Sequence, residues 1–270
     1  MYKRQNRYTP TSISFPEVYF TLEQKGVEIY AGSVHTCAIL DDGSVSCWGY
    51  NGNGQLGDGT TTERLTPTQT SSLGTNRTAV AITAGNAHTC VILDDGSVSC
   101  WGNNVFGQLG DGTTTERNTP TQTSSLGFGR TAVAIATGQY HTCALLDDGS
   151  VSCWGYNTNG QLGGGTTTER NTPTQTSSLG TDRTAVVITA GAFHTCAILD
   201  DGSVSCWGNN GDGQLGDGTT TDRSTPTPTS SLGPGSVWEV TSVIATEVLY
   251  AHHLDVCVGV FLSVLVPSPS

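Results

Sequence analysis

Eight of the nine cysteines stand in four pairs ten residues apart: Cys37 with Cys47, Cys90 with Cys100, Cys143 with Cys153, and Cys196 with Cys206. A His-Thr dipeptide precedes the first member of each pair, at His35, His88, His141 and His194. Thiols and imidazoles at this spacing support disulfide bonding or metal ligation. A tight hairpin turning at Asp41-Asp42-Gly43 sets Cys37 opposite Cys47 at roughly 4.5–5.5 Å between Cα atoms, within disulfide range. Each such staple is worth about 2–3 kcal/mol. Buried free thiols remain an alternative, and so does metal, although His-x-Cys on a strand supplies only two ligands. The histidine reads as a structural side chain hydrogen-bonded to backbone within its own unit, and no metal or other cofactor is expected. The acidic pairs Asp41-Asp42, Asp94-Asp95, Asp147-Asp148 and Asp200-Asp201 fall in the same turns, where adjacent carboxylates point apart and serve turn formation, not acid–base catalysis. GQLGDGTTT lacks the lysine of a phosphate-binding loop, and Gly164 replaces the aspartate found at Asp58, Asp111 and Asp217, which argues against an obligatory carboxylate ligand. Asn76-Arg77-Thr78 is a lone glycosylation sequon of a kind common by chance. No catalytic constellation recurs.

These residues are positioned by a repeat. Trp48, Trp101, Trp154 and Trp207 lie 53 residues apart, and Pro67, Pro120, Pro173 and Pro226 keep that offset without insertions. Within one copy Thr89-Cys90-Val91-Ile92-Leu93 and Val98-Ser99-Cys100-Trp101 flank an Asp-Asp-Gly turn and predict a hairpin. Upstream, the segment from Thr78 to Thr83 supplies a third strand, and Pro120-Thr121-Gln122-Thr123 suits a proline-bearing edge strand. Glycine interrupts every few residues, so no helical period survives. Strands without helices in a fixed unit predict an all-β propeller. Counting from the proline strand, blades start at Pro16, Pro67, Pro120 and Pro173, and Pro226 opens an incomplete fifth, with ring closure left open. Residues 1–15 read as a disordered N-terminal segment, 16–233 as the propeller repeats, and 234–270 as a degenerate tail that contributes to a further blade. In that tail Trp207 and Cys257 are 50 residues apart, where the equivalent distance elsewhere is 42.

The quoted motifs, Gly-x-x-His-Thr, Asp-x-Gly-x-Val, Trp-Gly and Gly-Gln-Leu-Gly, resemble the regulator of chromosome condensation repeat. The resemblance covers about residues 31 to 233 and implies four-stranded, mostly antiparallel blades. The family's propeller has seven blades, which at this period needs about 370 residues. The resemblance also supports a metal-free histidine. Family members that exchange guanine nucleotides use an inserted β-wedge, for which the invariant spacing leaves no room between complete repeats. Members that sense ultraviolet-B light carry Gly-Trp-Arg-His-Thr. Here Ser33, Asn86, Gln139 and Ala192 occupy the tryptophan positions, and Val34, Ala87, Tyr140 and Phe193 the arginine positions.

Shared positions are accounted for by architecture, so function is sought where copies differ. One variable window holds Ser33-Val34, Asn86-Ala87, Gln139-Tyr140 and Ala192-Phe193. The other runs over 50–53, 103–106, 156–159 and 209–212. Both fall in loops at strand ends, where binding residues concentrate. Tyr50, Phe106, Tyr140, Tyr156 and Phe193 are the candidate anchors for a partner, with drift at tolerant loop positions as the alternative.

Composition narrows the partner. The net charge of −12 repels nucleic acid, and no apolar run is long enough to span a bilayer as a helix. The basic start leads into no apolar stretch of signal-peptide type, yet the paired cysteines favour an oxidising compartment. The sequence therefore describes a non-enzymatic scaffold, extracellular or on the cell surface, that binds protein or glycan through its face loops and self-associates through open blade edges. The alternative is an intracellular exchange factor or regulator of a small GTPase.

Overall fold

The computed structural model describes residues 24–233, and those residues form sixteen strands and no helix. They group into four antiparallel four-stranded sheets, each built from strands consecutive in sequence. The first blade comprises β1 (Gly26–Ala31), β2 (His35–Leu40), β3 (Val45–Gly49) and β4 (Arg64–Gln69). Blades two, three and four repeat this plan over 79–122, 132–175 and 185–228. The proline strand therefore closes its own blade: Ser46 pairs with Gln69, and Cys47 with Thr68. This corrects the blade boundaries, because Pro226 lies in the last strand of blade four and does not open a fifth. Pro16 and the tail lie outside the described residues. A repeat gives the period of its units but not their phase, and the outer position leaves the proline without a ladder partner to serve.

The β2–β3 hairpin turns through 41–44 and sets Cys37 directly opposite Cys47, as do its counterparts in the other blades. All four disulfides form, each with a Cα separation of 4.1 Å. That is closer than the hairpin argument anticipates.

Blades pack face to face. Cys37, Ile39, Val45 and Leu56 of blade one meet Ile82, Val91, Leu93 and Trp101 of blade two, and equivalent sets build the other two interfaces. The interface accounts for burial: Ile82, against blade one, is 3% exposed, while its counterpart Ile29 on the first blade is 57% exposed.

A polar latch runs through each interface. The His35 ring Nε2 lies 2.8 Å from the Thr89 hydroxyl of the next blade, with 3.1 Å for His88 to Thr142 and 3.0 Å for His141 to Thr195. Thr89 donates its proton to the Gln55 carbonyl at 2.9 Å, so the imidazole must donate through Nε2. The Trp101 indole donates to the same carbonyl at 2.9 Å, as Trp154 does to the Gln108 carbonyl, whereas at the third interface Thr195 alone donates to the Gln161 carbonyl and the Trp207 indole nitrogen has no hydrogen-bond partner. The histidine partner is thus a side chain of the neighbouring blade, and the expected backbone partner within the same blade is corrected. Two glycines admit these rings. A Cβ on Gly85 would lie 2.3 Å from His88 Cε1 and 2.6 Å from the Gly138 carbonyl oxygen, and one on Gly57 would lie 2.7 Å from the Trp101 indole nitrogen.

Burial holds these imidazoles neutral, lowering His35 to about 4 and His88 and His141 to about 3. The unfolded chain takes up these protons near pH 6.5, and the folded chain does so only at lower pH. Stability must therefore fall as pH drops below about 6.5, and this contribution levels off only near the folded values. Urea midpoints measured from pH 7 to pH 4 check this, with a progressive decline expected. Gly85→Ala is expected to destabilise by about 1–3 kcal/mol through overpacking, read from the same urea curves at pH 7.

Candidate functional site

Strand alternation sends both variable windows to one end of the blades. The first window links the innermost strand to the second, and the other follows the third strand. Backbone hydrogen bonds sew them together. Within a blade, Tyr156 N donates to the Tyr140 carbonyl at 2.9 Å and Asn209 N to the Phe193 carbonyl at 2.8 Å. Between blades, Ser33 N donates to Gly85 O at 3.2 Å and Gln139 N to Ala192 O at 3.0 Å.

The second window is not variable throughout. Asn51, Asn104, Asn157 and Asn210 recur within it and are buried. Asn51 accepts from Leu56 N at 3.0 Å and donates to the carbonyls of Thr60 and Thr62 at 3.1 and 3.0 Å, which folds the long loop around one amide. Asp58 caps the same loop and is ion-paired with Arg64 at 2.6 Å. Burial opposes the ionised carboxylate, but hydrogen bonds from Thr60 and Arg64 outweigh it and hold Asp58 below the usual carboxylate range. The GDGTTT stretch is therefore occupied by its own side chains.

On this scaffold four of the five candidate aromatics converge, contributed by three blades. Ring centroids of Phe106 lie 5.3 Å from Tyr140 and 4.8 Å from Tyr156, and those of Phe193 lie 6.4 and 6.0 Å from the same two tyrosines. Tyr140 and Tyr156 are 6.3 Å apart. The contacts are tilted or edge-to-face, the arrangements that aromatic quadrupoles favour. All four side chains are half-buried. Asn86 and Gln139 donate to the Tyr140 hydroxyl at 3.3 and 3.4 Å, orienting that ring. These two amides lie in the first window, but sequence alone gave no sign of their pairing with a tyrosine.

Tyr50 does not join the cluster. It is half-exposed and folds over its own loop, so that a Cβ on Gly52 would lie 2.0 Å from its hydroxyl. Tyr50 and Tyr156 are equivalent by repeat, but the neighbours of Tyr50 in the first window are Val34 and Ala87 where those of Tyr156 are Tyr140 and Phe193.

The opposite end carries a different chemistry. Arg77 bridges Asp94 and Asp95 at 3.3 and 2.6 Å, and Arg130 and Arg183 do the same in the next two blades. In blades two, three and four the paired carboxylates thus converge on one guanidinium, which corrects for those three pairs the expectation that they point apart. Their role in the turn stands, since Asp95 accepts from Ser97 N at 3.0 Å. A cleft of about 630 Å³ between blades one and two, also at this end, is lined by Glu28, Asp41, Asp42 and Val80 among others, and burial raises the Glu28 carboxyl. Among the described residues no group of three His, Cys, Asp or Glu side chains is placed to hold a metal.

The RCC1-like domain family matches this sequence over residues 3–250. The chain belongs to that family. It is 37% identical over 211 residues to the Arabidopsis thaliana ultraviolet-B receptor UVR8, covering 78% of this chain and 47% of the receptor. It is 34% identical over 201 residues to the human probable E3 ubiquitin-protein ligase HERC4, covering 74% of this chain and 19% of the ligase. Among solved structures it resembles human WBSCR16, with a TM-score of 0.69 at 23% identity over 78% of this chain and 54% of that one. Yeast RCC1 (Prp20), solved bound to Kap60, gives a TM-score of 0.67 at 21% identity over 80% of this chain and 51% of that one. This RCC1-like chain thus spans about half the length of the plant receptor and a smaller part of the ligase.

Replacing Tyr140 and Phe193 together with alanine is expected to remove partner capture and to shift the thermal midpoint only slightly, because both rings sit at the loop end outside the inter-blade cores. Calorimetry of the double variant beside a binding assay checks both halves. A collapse of the folded state would place the pair in the core.

Proposed function

We propose that this RCC1-like propeller is a non-catalytic binding module whose partner seats on the Phe106, Tyr140, Tyr156 and Phe193 patch. The observation that carries the reading is convergence. Residues that break the repeat at four positions in three blades meet at one end of the molecule, each ring within 6.4 Å of another. Clustered, half-buried aromatics on rigid loops are the groups that dominate binding energy at protein interfaces. The rings are tilted against one another by 41° to 74° and form no flat platform of the kind a sugar ring stacks on, which favours a protein partner over a glycan. Catalysis finds little support: three of the four repeat histidines are latched to threonines and held neutral, and the turn and loop carboxylates named above are tied into turns or ion pairs.

The setting we propose is oxidising, extracellular or at the cell surface, because four disulfides staple the four blades. Among the described residues no helix is long and apolar enough to cross a membrane. Regulation of a small GTPase is less favoured, since the constant spacing of the four units leaves no inserted hairpin between them.

A photo-activatable phenylalanine analogue placed at Tyr156, and separately at Thr75 on the opposite end, tests the seat. Cross-linking to a discrete partner from position 156 alone is expected, and equal cross-linking from both positions, or none from either, overturns the reading. Alkylation before reduction, on material from its native compartment, tests the setting. The eight paired cysteines should stay unmodified until reductant is added, whereas immediate modification of all eight would place the protein in a reducing compartment.

A further inference from the structure

The repeat is broken once more in blade three, and the break frees a charge beside the aromatic patch. In blades one, two and four an aspartate in the long loop holds the arginine six residues later: Asp58 with Arg64 at 2.6 Å, Asp111 with Arg117 at 2.8 Å, and Asp217 with Arg223 at 2.7 Å. Blade three has Gly164 in place of the aspartate. Its arginine, Arg170, is exposed, whereas its three counterparts are half-buried. Of the seven described arginines, the other six are ion-paired and Arg170 is not.

No steric need explains the glycine. A Cβ at Gly164 would meet nothing within 4 Å, and its backbone is not in the left-handed region. The loop also keeps its fold, because Asn157 still donates to the carbonyls of Thr166 and Thr168 at 2.9 and 2.8 Å. The substitution removes the carboxylate that elsewhere also accepts from the loop threonine and asparagine, as Asp111 does from Thr113 and Asn104, and it leaves the guanidinium of Arg170 without an ion pair.

Its place matters. Strand β11 (Val151–Gly155) runs into Tyr156, and β12 (Arg170–Gln175) begins at Arg170, whose register partner is Gly155. On the other side Gly107, next to Phe106, packs so closely that a Cβ there would lie 2.5 Å from Asn171 Cα. Arg170 and Asn171 therefore adjoin the segments that carry both Phe106 and Tyr156. The amides bonded to Tyr140 are neutral, so a partner covering the patch meets the exposed, unpaired cation of Arg170 at its rim.

We infer that Arg170, released by Gly164, is the specificity position of the aromatic seat and receives the carboxylate of an Asp or Glu that stands beside an apolar side chain in a partner protein. This rests on the proposed binding face. Guanidinium and carboxylate pair through two parallel hydrogen bonds, which fixes orientation as well as charge. The net charge of −12 repels a strongly acidic partner at long range, so the segment recognised carries a single carboxylate among neutral or basic residues.

Random short peptides displayed on phage and selected on the immobilised full chain supply the probe. Selected peptides, made synthetically, are then measured by fluorescence anisotropy against the parent, Arg170→Ala, Gly164→Asp and the Tyr140→Ala/Phe193→Ala variant. Selected sequences should share an Asp or Glu next to an apolar residue. Their affinity should fall about tenfold on both Arg170→Ala and Gly164→Asp, the latter by restoring the internal ion pair. Changing the peptide carboxylate to its amide should cost the same factor on the parent and nothing further on the variants. Peptides without a shared acid, or with unchanged affinity for Gly164→Asp and Arg170→Ala, overturn the inference while loss on the double aromatic variant keeps the binding face. Unchanged binding to the double aromatic variant, or no selectable peptide at all, overturns both.

Discussion

The contact on which the rest of the structure depends is the latch between successive blades, in which histidine, threonine, a glutamine carbonyl and tryptophan meet in a buried seam. Gln55 O accepts from Thr89 and Trp101 together, and Thr89 accepts in turn from His35. The threonine hydroxyl proton is committed to the carbonyl, so the imidazole has one tautomer and its Nδ1 is left without a hydrogen-bond partner at His35, His88 and His141. Burial makes it unfavourable for this ring to take up a proton, which ties the latch to the seclusion of the histidines between the blades. The disulfides act inside blades and cannot do this work. They fix the hairpin that carries the histidine, and the latch fixes one hairpin against the next.

That constraint explains which residues stay the same between copies. Glycines beside the histidine and the tryptophan are required because a Cβ would enter either ring, and the asparagine at the start of the long loop is required because it alone satisfies several backbone groups of that loop. With these positions fixed by architecture, the tips of the two loops at this end are among the places left free to change. Because backbone hydrogen bonds join the loops of neighbouring blades, changes at these tips do not act separately. Phe106, Tyr140, Tyr156 and Phe193 form one surface although they come from three repeats. The departure at Gly164 falls in the blade that supplies two of those rings.

Much of this was legible in the sequence, and the exceptions have physical reasons. The hairpins, the cysteine pairing and the all-β propeller class follow from local alternation and a fixed period, both of which are properties of neighbouring residues. Membership of the RCC1-like domain family was likewise legible from the motifs. The phase of the blades was not, since a strand such as Arg64–Gln69 fits the end of one unit as well as the start of the next until its pairing with Val45–Gly49 is seen. The partner of His35 was also hidden, because Thr89 lies 54 residues away on another blade. Tyr50 and Tyr156 look alike in sequence, and only the neighbours brought by adjacent blades separate them.

The most direct test of the latch is a double-mutant cycle on His88 and Thr142, with alanine at each site and at both, read by urea unfolding at pH 7. The two residues form one buried hydrogen bond across an interface at 3.1 Å. Their coupling should therefore be nonadditive by about 0.5–3 kcal/mol, with the second replacement costing much less once the first is made. Strictly additive losses would show that the two side chains stabilise their blades independently, and that some other contact holds the propeller together.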